Sequence, residues 1–150
     1  MIINYRKLER LLASKKWKDA DRETRNLMLK IAHKDQEAWL NTEDCQNFPL
    51  HELRALDNLW IKYSNRHFGF SVQKQIWIDC GGTPGLRNDD VACKFGDQVG
   101  WLKNGIWIDY NSINWNIENP RGHLPTPPPV VVLGILWNWL DGFYFLSSRI

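Results

Sequence analysis

A chain of 150 residues suits one domain that buries roughly two thirds of its unfolded surface, so no metal or disulfide scaffold is needed to hold it together. A formal net charge of +2, with Lys and Arg dispersed along the chain, argues against a nucleic-acid partner, which would draw cations to one face. Cys45, Cys80 and Cys93 form no C-x-x-C pair and have no histidines at zinc-ligand spacing, so a zinc centre is not expected and a reducing compartment is.

Tyr5, Leu8, Leu11 and Leu12 recur at helical spacing between charged residues and predict a first amphipathic helix. Ser14-Lys15-Lys16 interrupts it. Trp17, Ala20, Thr24, Leu27, Met28 and Ile31 mark a second helix, acidic early and basic late, as the helix dipole favours. Asn41-Thr42-Glu43-Asp44 has the chemistry of a helix start, and that short helix should end before Phe48-Pro49. Pro49 opens the next helix, whose stripe is Leu53, Leu56, Leu59, Trp60 and Tyr63.

That helix runs into Ser64-Asn65-Arg66-His67-Phe68-Gly69, a corner where Ser and Asn can bond nearby backbone and Gly69 can take a positive φ. Ser71 is the expected N-cap of the helix beyond, which carries Val72, Ile76, Trp77 and Cys80 and stops at Gly81-Gly82-Thr83-Pro84-Gly85. The Gly-rich segment lacks the G-K-[ST] ending of a phosphate loop and reads as a turn. Asp89-Asp90 are expected to cap a short helix through Phe95. Asn104-Gly105 between apolar runs predicts a two-stranded ribbon, followed by a small helix around Asn111 to Ile117 that returns Trp115 to the body.

Asn119 to Pro125 reads as a loop, and residues 126–150 as a tail, first proline-rich and then apolar. The tail admits either a last helix or an extended Val130-Val131-Val132. Its uncharged run falls short of the ~20 residues of a membrane span, so it is read as buried or docked on a surface, with peripheral membrane contact as the one membrane role left. No secretory signal opens the chain, since Arg6-Lys7 follow the first apolar residues at once. Nine tryptophans exceed what packing needs, and Trp, with a broad apolar face and one N–H, suits flat ligands. Packing alone would also explain many of the rings.

The stretch LWIKYSNRHFGFSVQKQIW resembles the tetrapyrrole-binding domain of the genomes-uncoupled-four family, regulators of magnesium chelatase. The likeness continues in order: YRKLERLLASKKWKDADRETRNLML before the corner, EDCQNFPLHELRALDNLW leading into it, then FGDQVGWLKNGIWI and NPRGHLP, with a family-like LSSRI at the end. It spans roughly residues 4 to 125. The extra N-terminal helical domain of many cyanobacterial relatives has no counterpart in these residues, which suits a free-standing minimal domain or one cut from a larger signalling protein; a single domain over 1–150 is expected from the length.

The resemblance implies an all-α fold, a compact multi-helix domain shaped like a cupped hand with at most one small β-ribbon. It implies binding of protoporphyrin and magnesium protoporphyrin without catalysis, a magnesium chelatase subunit as partner in chlorophyll biosynthesis, and a cytoplasmic or plastid-stromal location. Ile61, Phe70, Arg121 and Trp101 carry over from the family's functional positions. A porphyrin has two apolar faces and a carboxylate edge, so its site needs apolar walls and cations at the rim. Trp60, Ile61, Phe68, Phe70 and Trp101 are the wall candidates; Arg121, Arg66 and Lys103 are the rim candidates, arginine being better suited by its planar fork. His67 and His123 are the histidines an axial metal role would use, but family binding does not rest on a histidine ligand. The alternative reading is a sensory module that binds haem or a linear bilin and signals to another effector. No G-x-S-x-G, H-E-x-x-H or phosphate loop supports an enzyme.

Overall fold

The computed structural model describes residues 1–126, 130–132, 135–137, 144 and 146–150. In chain order the described elements are α1 (Arg6–Ala13), α2 (Trp17–Ile31), β1 (Leu40–Asn41), α3 (Thr42–Gln46), α4 (Leu50–Ser64), α5 (Phe70–Asp79), α6 (Asp89–Val99), β2 (Leu102–Lys103), β3 (Ile106–Trp107), a 3-10 turn (Tyr110–Ser112), β4 (Val130–Val132) and β5 (Ile135–Trp137). The all-α class holds. The expected ribbon is present, with β2 antiparallel to β3 and Leu102 opposite Trp107. The allowance of one ribbon is exceeded, because β4 pairs parallel with β1 and antiparallel with β5. The extended option for Val130 to Val132 is therefore the one taken, as three successive β-branched residues favour. The rest of the tail's course lies mostly outside the described residues.

Local chemistry accounts for the helix ends. Asn41 caps α3 by accepting the Asp44 N–H at 2.7 Å while Asp44 accepts the Asn41 N–H at 2.8 Å, a reciprocal box that satisfies two otherwise orphaned donors. Pro49 sits at the N-cap of α4. Three expectations are corrected. Ser71 does not cap α5: Gly69 holds the N-cap position and Ser71 donates its N–H to Asp57 Oδ1 at 2.9 Å. Asp57 reaches that N–H because the corner brings the start of α5 against α4, where Gly69 also faces Asp57 and Ile61.

The cap of α6 is Asn88, which accepts the Val91 N–H at 3.1 Å; Asp89 and Asp90 lie in the first turn, where carboxylates complement the dipole, and the helix runs on to Val99. The helix expected around Asn111 shrinks to the 3-10 turn, since Asp109 takes the N–H groups of Asn111 and Ser112. Trp115 still returns to the body, edge-on to Tyr110 at 5.3 Å.

Two apolar clusters result. The first joins Leu8 and Leu12 of α1, Trp17, Leu27 and Met28 of α2, and Leu53, Leu56 and Trp60 of α4, with Phe68, Phe70, Leu124 and Leu146. The second joins Val72, Ile76 and Trp77 of α5 to Val91, Phe95 and Val99 of α6, with Trp101 and Tyr144. Ile61 packs against the second cluster from α4. Burying each such side chain contributes about 1.5–3 kcal/mol, so the clusters dominate the stability of their halves. The chain end is docked: Leu146 is buried in the first cluster, and Arg149 donates to the Phe48 carbonyl at 3.4 Å.

Candidate functional site

The corner is built as its residues imply. Ser64 Oγ donates to the Trp60 carbonyl at 2.6 Å and accepts the Phe68 N–H at 2.9 Å, while Asn65 and Arg66 take left-handed backbone at φ 53 and 62. Gly69 follows at φ +144, and a Cβ there would lie 2.9 Å from Asp57 Oδ1 and 3.1 Å from Ile61 Cγ1. A side chain would collide with the carboxylate that holds the start of α5. Burial pushes the Asp57 carboxyl above the usual carboxylate range, against the hydrogen bonds from Ser71 and Phe70 that favour the anion.

The loop from Asn119 to Pro125 is hydrogen-bonded directly to this corner. Gly122 donates to the His67 carbonyl at 2.8 Å, Gly69 donates to the Leu124 carbonyl at 3.0 Å, and His67 Nε2–H donates to the Asn119 carbonyl at 2.6 Å. Trp101 Nε1–H, arriving from the end of α6, donates to the His123 carbonyl at 2.9 Å. His123 is buried and donates Nδ1–H to the Val99 carbonyl at 2.7 Å. Burial holds its imidazole below the usual histidine range, outweighing the bond to Val99 that favours the cation.

Arg121 stands out of this stitching. Its side chain is exposed, and among the described residues no hydrogen bond or ion pair engages it. It borders a cleft of about 360 Å³ lined by Ile76, Asp79, Cys80, Gln98 and Arg121, a volume within the range of small-molecule sites. Burial raises the Cys80 thiol above its ordinary value, which keeps it protonated. A larger hollow of about 600 Å³ is lined by Asn4, Arg6, Lys7, Glu9 and Arg10. With no apolar side chain in that lining, it offers nothing to the faces of a flat apolar ligand, and the smaller cleft is the better candidate.

The structure sorts the candidate residues into three groups. Arg121, Arg66 and Lys103 are exposed cations; only Arg121 lines the cleft. Ile61 is half-buried beside the second cluster, and Phe70 opens α5 with 4% of its surface exposed. Trp60, Phe68 and Trp101 are closed in packing, at 0%, 0% and 1% exposure. Trp60 donates its N–H to Thr24 Oγ1 at 3.0 Å and stacks near Trp17, and Phe68 meets Trp17 edge-on at 5.4 Å. These rings present no face to solvent, and the indole N–H groups of Trp60 and Trp101 are already spent inside the domain. The sequence marks Ile76 and Cys80 only as helix residues, and Asp79 and Gln98 not at all, so none of the four is a site candidate before the structure places them at the cleft. Ile76, Asp79 and Cys80 fall at i, i+3 and i+4, the spacing of one helix face, which was the available signal.

Among the described residues no helix is long and apolar enough to cross a membrane. A model of the GUN4-like family matches residues 1–133. Over 126 residues the chain is 30% identical to a Ycf53-like protein of Synechocystis, covering 82% of this chain and 51% of that protein. It is 32% identical over 130 residues to the chloroplastic tetrapyrrole-binding protein of Arabidopsis thaliana, covering 79% of this chain and 46% of that one. The chain thus spans about half the length of the curated relatives it matches. Among solved structures it resembles GUN4 of Chlamydomonas reinhardtii, with a TM-score of 0.73 at 29% identity, covering 98% of this chain and 89% of that one. The ligand-free GUN4 of Arabidopsis thaliana gives the same TM-score at 28% identity, with 99% and 94% covered.

Proposed function

Because the chain belongs to the GUN4-like family, we propose that it binds protoporphyrin and magnesium protoporphyrin without turning them over, and that through this binding it regulates magnesium chelatase. The observation that carries the proposal is the exposed, unengaged Arg121 guanidinium, set beside apolar Ile76 on a loop bonded to the aromatic corner. An arginine in that position can take a propionate carboxylate in a bidentate pair, with Ile76 beside it offering an apolar contact to the ring. Ile76 is the aliphatic side chain of the cleft lining, and Ile61, half-buried on α4, is the wall candidate proposed to join it on the ring's faces, with Phe70 and Trp101 as buried wall candidates. Trp60 and Phe68 back the corner from the first cluster. Arg66 and Lys103 supply further positive charge outside the cleft.

The name of the Arabidopsis relative, a tetrapyrrole-binding protein, supports the ligand class. The chelatase subunit as partner, and an aqueous cytoplasmic or stromal setting with peripheral membrane contact, belong to the same proposal. The test is a titration of the purified protein with protoporphyrin and magnesium protoporphyrin, followed by tryptophan emission and the Soret band. Saturable quenching with a Soret shift is expected, weakened in Arg121→Ala. Unchanged spectra across the micromolar range would overturn the reading.

A further inference from the structure

We propose that Gln73 is the positioning residue for Arg121, and that through it the protein distinguishes a free carboxylate at the tetrapyrrole edge from the corresponding ester. The inference rests on the tetrapyrrole-binding reading above and adds a specificity role to a residue that does not reach the cleft.

Gln73 lies on α5 beneath the loop, with none of its surface exposed. Its side-chain Nε2 donates to the Gly122 carbonyl at 3.0 Å and to the Pro125 carbonyl at 2.7 Å. Two carbonyl acceptors face this one atom, so only an amide NH2 can stand there, and the assignment of the amide's orientation follows from its partners. Its Oε1 has no partner among the described residues. A buried side chain whose acceptor goes unmet while both donors are used is held for its donors, since an apolar residue of the same shape would avoid that desolvation.

The bonds fall where they govern Arg121. Gly122 is its immediate neighbour, at φ +79, and a Cβ on Gly122 would lie 2.7 Å from Ile76 Cδ1 and 3.2 Å from Val99 Cγ1. The backbone beside Arg121 is thus pressed onto α5 and α6, and Gln73 clamps that point and the carbonyl of Pro125 together. The Gly122 N–H donated to the His67 carbonyl and the Trp101 indole N–H donated to the His123 carbonyl hold the same loop from its other sides. A guanidinium on a long side chain makes a geometrically exacting fork only if its backbone is held; loosening the clamp spreads the fork over many orientations and lowers its effective concentration at the carboxylate.

The experiment compares protoporphyrin with its dimethyl ester, measuring affinity for each in the wild type, Gln73→Met, Gln73→Glu, Arg121→Ala and the Gln73→Met/Arg121→Ala double variant, with thermal unfolding of each. The wild type is expected to prefer the acid by about tenfold, the scale of one charge-assisted hydrogen-bond pair. Gln73→Met should lower that preference toward the Arg121→Ala value while ester affinity changes little, and the double variant should discriminate no worse than Arg121→Ala. Gln73→Glu, which sets a carboxylate against two carbonyls, should do the same or more. Should the Gln73 variants fail to fold, Gly122→Ala displaces the same loop and is expected to narrow the acid preference. A Gln73→Met protein that loses acid and ester affinity equally, or keeps the wild-type ratio, overturns the inference. A wild type that binds neither compound instead overturns the tetrapyrrole reading itself.

Discussion

Both apolar clusters are built around aromatic rings, and they differ in what their edges offer. The first, around Trp17, Trp60 and Phe68, has its rings face to face or edge to face, and the Trp60 N–H spent on Thr24. The second, around Trp77, Phe95 and Trp101, has similar edge-on contacts at 5.6 Å, yet it borders the cleft at Ile76 and carries Arg121 beside it. Ring density therefore does not separate core from site. The proposed site is set apart by Arg121, an exposed cation that borders the cleft beside Ile76 and that no hydrogen bond or ion pair engages among the described residues.

The two halves also hold buried polar groups whose ionisation is shifted in opposite directions. On the first side Asp21, fully buried on α2, accepts the Thr126 N–H and hydroxyl at 2.7 Å each, beside Arg25 at 3.8 Å and Tyr110 at 3.2 Å. Burial raises its carboxyl above the ordinary range despite those partners. Asp57 is raised in the same way, whereas His123 on the second side is lowered.

The comparison breaks most visibly at Trp60. Trp60→Ala should cost about 3–5 kcal/mol, the usual range for truncating a buried aromatic, read as a fall in the urea midpoint; the cleft variant Arg121→Ala should stay within about 0.5 kcal/mol of wild type. If Trp60→Ala instead unfolds near the wild-type midpoint and abolishes ligand binding, the ring is a wall and the division between halves fails. Next in size, Arg121→Ala should weaken porphyrin binding about tenfold, near 1.4 kcal/mol, with Lys103→Ala weakening it less, because Lys103 does not line the cleft.

Smaller is the loss from Asp57→Ala, which strips the N-terminus of α5 of its acceptor and should cost about 1 kcal/mol, while Asp57→Asn keeps an oxygen for the Ser71 N–H and should cost less. The finest distinction is one of slope. A carboxyl raised in the folded state contributes stability that is present below its unfolded value near 3.8 and lost as pH rises through the folded value, so Asp57→Asn should flatten that fall. His123 has the opposite sign: its contribution is present above its unfolded value of 6.5 and lost as pH falls through the folded value, so His123→Gln should lessen the acid loss. Urea midpoints measured across pH would reverse these assignments if the slopes came out the other way.

Helical periodicity located α1, α2 and α4, and turn chemistry located the corner, the Gly81 turn and the Asn104-Gly105 ribbon, because spacing, dipole and φ preferences act over a few residues. The ordered motifs carried the family. What the chain could not show by itself was which of its rings would close on each other and which exposed cation would border the cleft. Trp60, Phe68 and Trp101 read as wall and as core alike until the partners Thr24, Trp17 and His123, all remote in sequence, are placed. The cap of α5 by Asp57 and the clamp of Gln73 on Gly122 and Pro125 are likewise set by tertiary contact, since each joins groups that only the folded corner brings within hydrogen-bond reach.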